Sequence, residues 1–178
     1  MKRFCVALIF LLTGLCTATT VKPMTVEELT AAATTIVEGQ VTDSWSSWNP
    51  QHTLIYTFTR VRISKALKGK PDETVIVKQL GGNAGGYTQK VAGVHPMRSG
   101  DTAVLFLRPS EARDGTMVVV GLMQGNFHIE RAAKSGTVVV NNGVADVHQS
   151  SVSGVTDYKG AKLTLRELES LVRKAVNE

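Results

Sequence analysis

The spacing of hydrophobic and polar positions changes several times along this chain of 178 residues, and each change marks an element. An unbroken apolar run covers residues 4–12, directly behind the basic pair Lys2 and Arg3. At Thr25 the pattern becomes helical, with Glu28 completing a capping box and Leu29 facing inward. Over residues 36–45 the period falls to two. Val37, Gly39, Val41 and Trp45 alternate there with Glu38, Gln40, Thr42 and Ser44, which predicts a half-buried strand. Asn49-Pro50 is a turn signal, and residues 54–63, rich in β-branched and aromatic side chains, predict a second strand.

A turn at residues 68–72 leads into a third strand over 74–80, a bare glycine loop over 81–86 and a weaker strand over 87–91. Residues 102–107 are apolar on both faces, so this strand is expected to be central and covered on two sides. Arg113-Asp114-Gly115 is a hairpin signal leading to a strand over 117–122, and short strands follow around 126–129 and 137–141. Residues 142–162 are polar and long for a connection, which suggests mobility or function. Thr164 and Glu167 form a second capping box, ahead of the apolar stripe Leu165, Leu168, Leu171, Val172 and Ala175. The expected fold is all-β, a small barrel-like domain of about seven or eight short strands with a short helix at each end.

The N-terminus changes this picture. A basic start, a run too short to span a bilayer (which takes roughly 20 residues) and small residues up to Ala18 read as a signal peptide over 1–18. Residues 19–178 then form a single exported β-rich domain, periplasmic or extracellular, with no transmembrane segment after processing. A lipoprotein reading would start the mature chain at Cys16, but Leu15 is too large just before it and Thr13 is not the usual leucine. Cleavage after Ala18 removes Cys5 and Cys16, so the mature chain has no disulfide, thiol nucleophile or thiolate ligand. It also removes Lys2 and Arg3 from a formal net charge of +5. The remaining excess is uneven: Arg60, Arg62, Lys65, Lys68, Lys70, Lys78, Lys90 and Arg98 face only Asp72 and Glu73 over that span. Such a cluster marks an anionic partner or a solvated face that keeps strand edges apart.

Several fragments in order, at residues 36–41, 66–69, 81–86, 104–107 and 119–127, resemble a pattern found in small exported bacterial proteins of uncharacterised function. More loosely, the layout is similar to the netrin-like domains and the tissue inhibitors of metalloproteinases. That resemblance implies an oligonucleotide/oligosaccharide-binding (OB) type barrel and a protein-binding role. The inhibitors' zinc-chelating N-terminal cysteine and bracing disulfides have no counterpart in residues 19–178.

The candidate chemistry is sparse. Gly81, Gly82, Gly85 and Gly86 suggest a phosphate-binding turn, but Tyr87-Thr88 stands where Lys-Ser/Thr is required, so a plain hairpin or bulge loop is favoured. The glycines leave room for close backbone approach by a partner. His52, His95, His128 and His148 are scattered, without metal-ligand spacing, and no cofactor motif or nucleophile elbow is present. On the second strand Tyr56, Phe58, Arg60 and Arg62 share one face, opposite Ile55, Val61 and Ile63. Aromatics running into arginines suit an anionic glycan, an acidic protein segment or single-stranded nucleic acid, the last made improbable by export. The alternative is that Tyr56 and Phe58 are core beneath the N-terminal helix. Trp45 and Trp48 with Asn49 form a second candidate patch, unless the core claims Trp45. The functional expectation is a non-enzymatic exported binding module contacting a protein or cell-envelope partner. The rivals are a hydrolase whose site forms only in three dimensions and a structural envelope component.

Overall fold

The computed structural model describes residues 23–131, 138–141 and 163–178. The expected signal segment and the polar stretch 142–162 lie outside the described residues. Both capping boxes form. Thr25 Oγ1 accepts from Glu28 N at 3.2 Å and opens helix α1 (Val26–Ala32). Thr164 Oγ1 accepts from Glu167 N at 3.2 Å and opens α2 (Leu165–Asn177). In return Thr164 donates its amide and hydroxyl to the Glu167 carboxylate, which holds that carboxyl below its ordinary range.

Five strands close into a small barrel: β1 (Thr35–Trp48), β2 (Ile55–Lys68), β3 (Thr74–Leu80), β6 (Thr102–Pro109) and β7 (Met117–Val119). Around the barrel the order is β1-β2-β3-β7-β6, and β6 pairs back onto β1. Every pairing is antiparallel except β3 with β7, which meet in parallel at Val77 and Met117 alone. This circuit is consistent with an OB- or netrin-like barrel. β4 (Gly82–Ala84) and β5 (Tyr87–Gln89) form a separate hairpin, while β8 (Asn126–Arg131), β9 (Val138–Asn141) and β10 (Leu163–Thr164) extend the sheet beyond β6. β1 reaches its two partners by bending at Gly39, where a Cβ would lie 2.6 Å from Arg62 O.

The alternation along β6 divides the apolar interior into two cores. Ala103, Leu105 and Leu107 point into the barrel, with Val37, Val41, Val61, Val77 and Val119. Val104 and Phe106 point outward beneath the helices, against Leu29, Ile36, Phe127, Leu168 and Val172. The strand that is apolar on both faces is thus covered on both, as its sequence predicts. Polar ties fix the helices in place. Lys65 Nζ lies 2.6 Å from Glu169 Oε1 on α2, and Lys68 Nζ donates to Thr30 O at 2.7 Å near the end of α1.

The structure corrects three details. The alternation groups Trp45 with Val37 and Val41, but the β1–β2 register slips between Val41 and Asp43. That bulge reverses the phase, so Ser46 turns towards Thr57 and the exposed Ser44 meets Thr59 through its hydroxyl, while Trp45 turns out, 39% exposed. The strand expected over 117–122 ends at Val119, because Phe106 accepts from Val120 N and donates to Gly125 O, pinching off the loop between them. The bare glycine loop also contains the short strand β4.

Candidate functional site

The outer face of β1, β2 and β3 carries a row of rings and cations. On β2, Ile55, Thr57, Thr59 and Val61 are buried, which sends Tyr56, Phe58, Arg60 and Arg62 outward. The bulge in β1 brings Trp45 opposite Phe58, and β3 places Lys78 on the other side of Phe58. Trp45 and Phe58 stack with centroids 5.8 Å apart and planes 16° from parallel. Arg60 Cζ lies 5.4 Å from the Trp45 centroid. Lys78 Nζ lies 4.6 Å from the Tyr56 centroid and 5.8 Å from that of Phe58. Read across the strands, the sequence is Arg60, Trp45, Phe58, Lys78, Tyr56, so a stacked pair of rings lies between two cations and a third ring lies beyond Lys78. Tyr56 and Phe58 are half-buried by one another and by these cations, not by a helix.

Two carboxylates tune the row. Asp43 meets Arg60 at 3.4 Å, with both side chains about half exposed. Asp114, from the β6–β7 loop, lies 2.8 Å from Lys78 Nζ. Hydrogen bonds from the Lys78 ammonium and then the Thr116 hydroxyl hold the Asp114 carboxyl far below the usual carboxylate range. Lys78 is thereby fixed over the rings, while Arg62 extends the face as an exposed cation. Such a surface can stack flat groups and bind anionic ones.

Trp48 is not part of this face. It pairs with Ile55 on the inward side, at the barrel rim, and stacks on His52 at 6.0 Å and 22°. Tyr87 meets it edge-on at 5.6 Å and is itself 68% exposed. The glycines build this rim. Gly85 (φ 58°) and Gly86 (φ 81°) make the two-residue turn between β4 and β5, and a Cβ on Gly85 would lie 3.3 Å from Trp48 Nε1. Gly81 donates its amide to Ile55 O and accepts from Thr57 Oγ1, so its polar groups are committed to the barrel.

Two open clefts lie elsewhere on the surface. One, of about 450 Å³, follows the seam between β3 and β7 and includes Tyr56, Lys78 and Gln79. The other, of about 340 Å³, is bordered by His95, Asp101, His128 and Glu130. Among the described residues no group of three or more His, Cys, Asp or Glu is placed to hold a metal ion. His148 lies outside the described residues. Sequence reasoning missed Lys78 as a member of the row and left Trp45 undecided.

No family model matches the chain, and no curated protein matches it in sequence. Among the described residues no helix is long and apolar enough to cross a membrane.

Proposed function

We propose that this protein is an exported, non-enzymatic binding module that presents the outer β1–β2–β3 face to an anionic protein or cell-envelope partner. The observation that carries this reading is the row of Arg60, Trp45, Phe58, Lys78 and Tyr56, rings held between and beside cations, across three strands on a face clear of both helices. Export rests on Lys2, Arg3 and the apolar run that ends before Ala18. Barrels of the OB type bind through the face of strands 2 and 3, the strands that carry most of this row. The looser netrin-like resemblance supports a protein-binding role. The rival hydrolase would use the cleft bordered by His95, Asp101, His128 and Glu130.

The test is cross-linking capture from the native envelope fraction, comparing the native protein with a Trp45→Ala/Arg60→Ala double variant. A partner held by the native form, lost in the variant and released as salt rises supports this surface, because exposed charges are screened over about 10 Å at 0.1 M. Capture that ignores both the variant and the salt sinks it.

A further inference from the structure

At the barrel rim the ends of two hairpins meet. The β1–β2 turn is organised by Asn49. Its Oδ1 accepts from Thr53 N and Leu54 N at 2.8 and 3.0 Å, and its Nδ2 donates to Gln51 Oε1 and Thr53 Oγ1 at 3.1 and 2.9 Å. Within this turn His52 holds a left-handed backbone at φ 52° and donates its amide to Asn49 O. Its exposed imidazole lies along Trp48. The β4–β5 turn is tied in from the other side, because Gln89 Oε1 accepts from Ile55 N at 2.8 Å and Tyr87 meets Trp48 edge-on. Tyr87 is 68% exposed, more than any other large hydrophobic side chain among the described residues. The exposed glycines Gly85 and Gly86 precede it, so bare backbone adjoins the ring. Turn hydrogen bonds, rather than burial in the core, hold this aromatic trio in place.

The chemistry around the trio is uncharged. No Lys, Arg, Asp or Glu occurs in residues 46–57 or 81–89, the two hairpin ends that make the rim, although 20% of the chain is charged. An anionic ligand would find no cation on these segments. Arg and Met, which protein interfaces favour, are also missing from both, whereas Ser, which they avoid, is present. The side chains next to the exposed rings in the chain are Gln51, Thr53 and Thr88, an amide and two hydroxyls, all exposed. A pyranose matches this set. One side of the sugar is a face of C–H groups that lies against the apolar, electron-rich face of an aromatic ring, and its periphery is hydroxyls that give and take hydrogen bonds.

We propose that the rim of Trp48, His52 and Tyr87 is a binding site for a neutral glycan, with a pyranose stacked on the exposed ring of Tyr87. The site is distinct from the outer row of rings and cations in both position and chemistry. A turn already fixed by Asn49 loses little freedom when the sugar docks.

The probes are three neutral tetrasaccharides, cellotetraose, maltotetraose and chitotetraose, with tetragalacturonate as the anionic counterpart. Each is titrated into the native protein while the backbone amide resonances of His52, Gly85, Gly86 and Tyr87 are followed. At least one neutral sugar is expected to bind and to shift these four, with an affinity that stays constant between about 0.05 and 0.5 M salt. Tyr87→Ala should weaken that binding about tenfold with the circular dichroism spectrum unchanged, and Tyr87→Phe, which keeps the ring, should bind as the native protein does. Binding of none of the three neutral sugars overturns the proposal, as does preference for tetragalacturonate or an affinity that falls with salt. Undiminished binding by Tyr87→Ala overturns it too. Loss of a cross-linked protein partner in Tyr87→Ala, with no sugar bound by the native form, would make the rim a protein contact instead.

Discussion

Gly82 shows how narrowly one residue can be constrained in this barrel. Its φ of 133° disfavours any side chain, and a Cβ there would collide with both Ser46 Oγ and Thr57 Oγ1, the hydroxyl pair lining the inner wall. Gly86, four residues on, has φ 81° but open space around the missing Cβ. Gly82→Ala is therefore expected to cost about 2–4 kcal/mol, from strain and steric overlap together. Gly86→Ala should cost only about 1–2 kcal/mol, from backbone strain alone. Urea unfolding midpoints for the two variants, at unchanged slope, check the difference. The sequence shows the glycine run and its likeness to a hairpin, since both follow from local composition. It does not show which glycine is irreplaceable, because Ser46 and Thr57 come from strands distant in sequence. Trp45 illustrates the same limit. Simple alternation carries it to the side of Val41, and a one-residue slip against β2 reverses that. Thr42, at the slip, has no local signature of a bulge.

At the scale of elements, the contact between Lys78 and Asp114 ties the β6–β7 loop to β3. The folded carboxyl titrates far below its ordinary value of 3.8. Its contribution is therefore complete at any pH above that ordinary value, and it fades only as the pH falls further, through the depressed folded value. Asp114→Asn should lower stability by a constant amount of under about 1 kcal/mol between about pH 5 and pH 8, the pair being partly solvated. The gap to the native protein should then close below about pH 4. Urea unfolding as a function of pH reads this directly; a gap that widens on acidification would contradict the assignment. None of this was legible beforehand, because the partners are 36 residues apart. The helix starts were legible, because Thr25 with Glu28 and Thr164 with Glu167 satisfy their own backbone groups within one turn.

For the whole molecule, β6 is the wall common to both cores. Leu105 faces the barrel interior and Phe106 the helix layer, and both are fully buried. Loss of the helices would expose Val104 and Phe106 and leave Lys65 on β2 without its tie to Glu169 of α2. The helix layer and the barrel should therefore unfold together, in one transition. The chain holds two tryptophans, Trp45 and Trp48, and both sit on β1, away from the helices. Tryptophan fluorescence thus follows the barrel, while far-ultraviolet circular dichroism near 222 nm is weighted towards α1 and α2. The two denaturation curves are expected to coincide. Leu168→Ala, which opens a cavity under α2, should move both midpoints by the same amount, equivalent to about 2–4 kcal/mol. If the dichroism midpoint moves and the fluorescence midpoint stays, the helices are a separately melting layer on an independent barrel. The binding face would then be indifferent to them, whereas a shared transition makes the packing of Leu168 a condition for the row of Trp45, Phe58 and Lys78 to form at all.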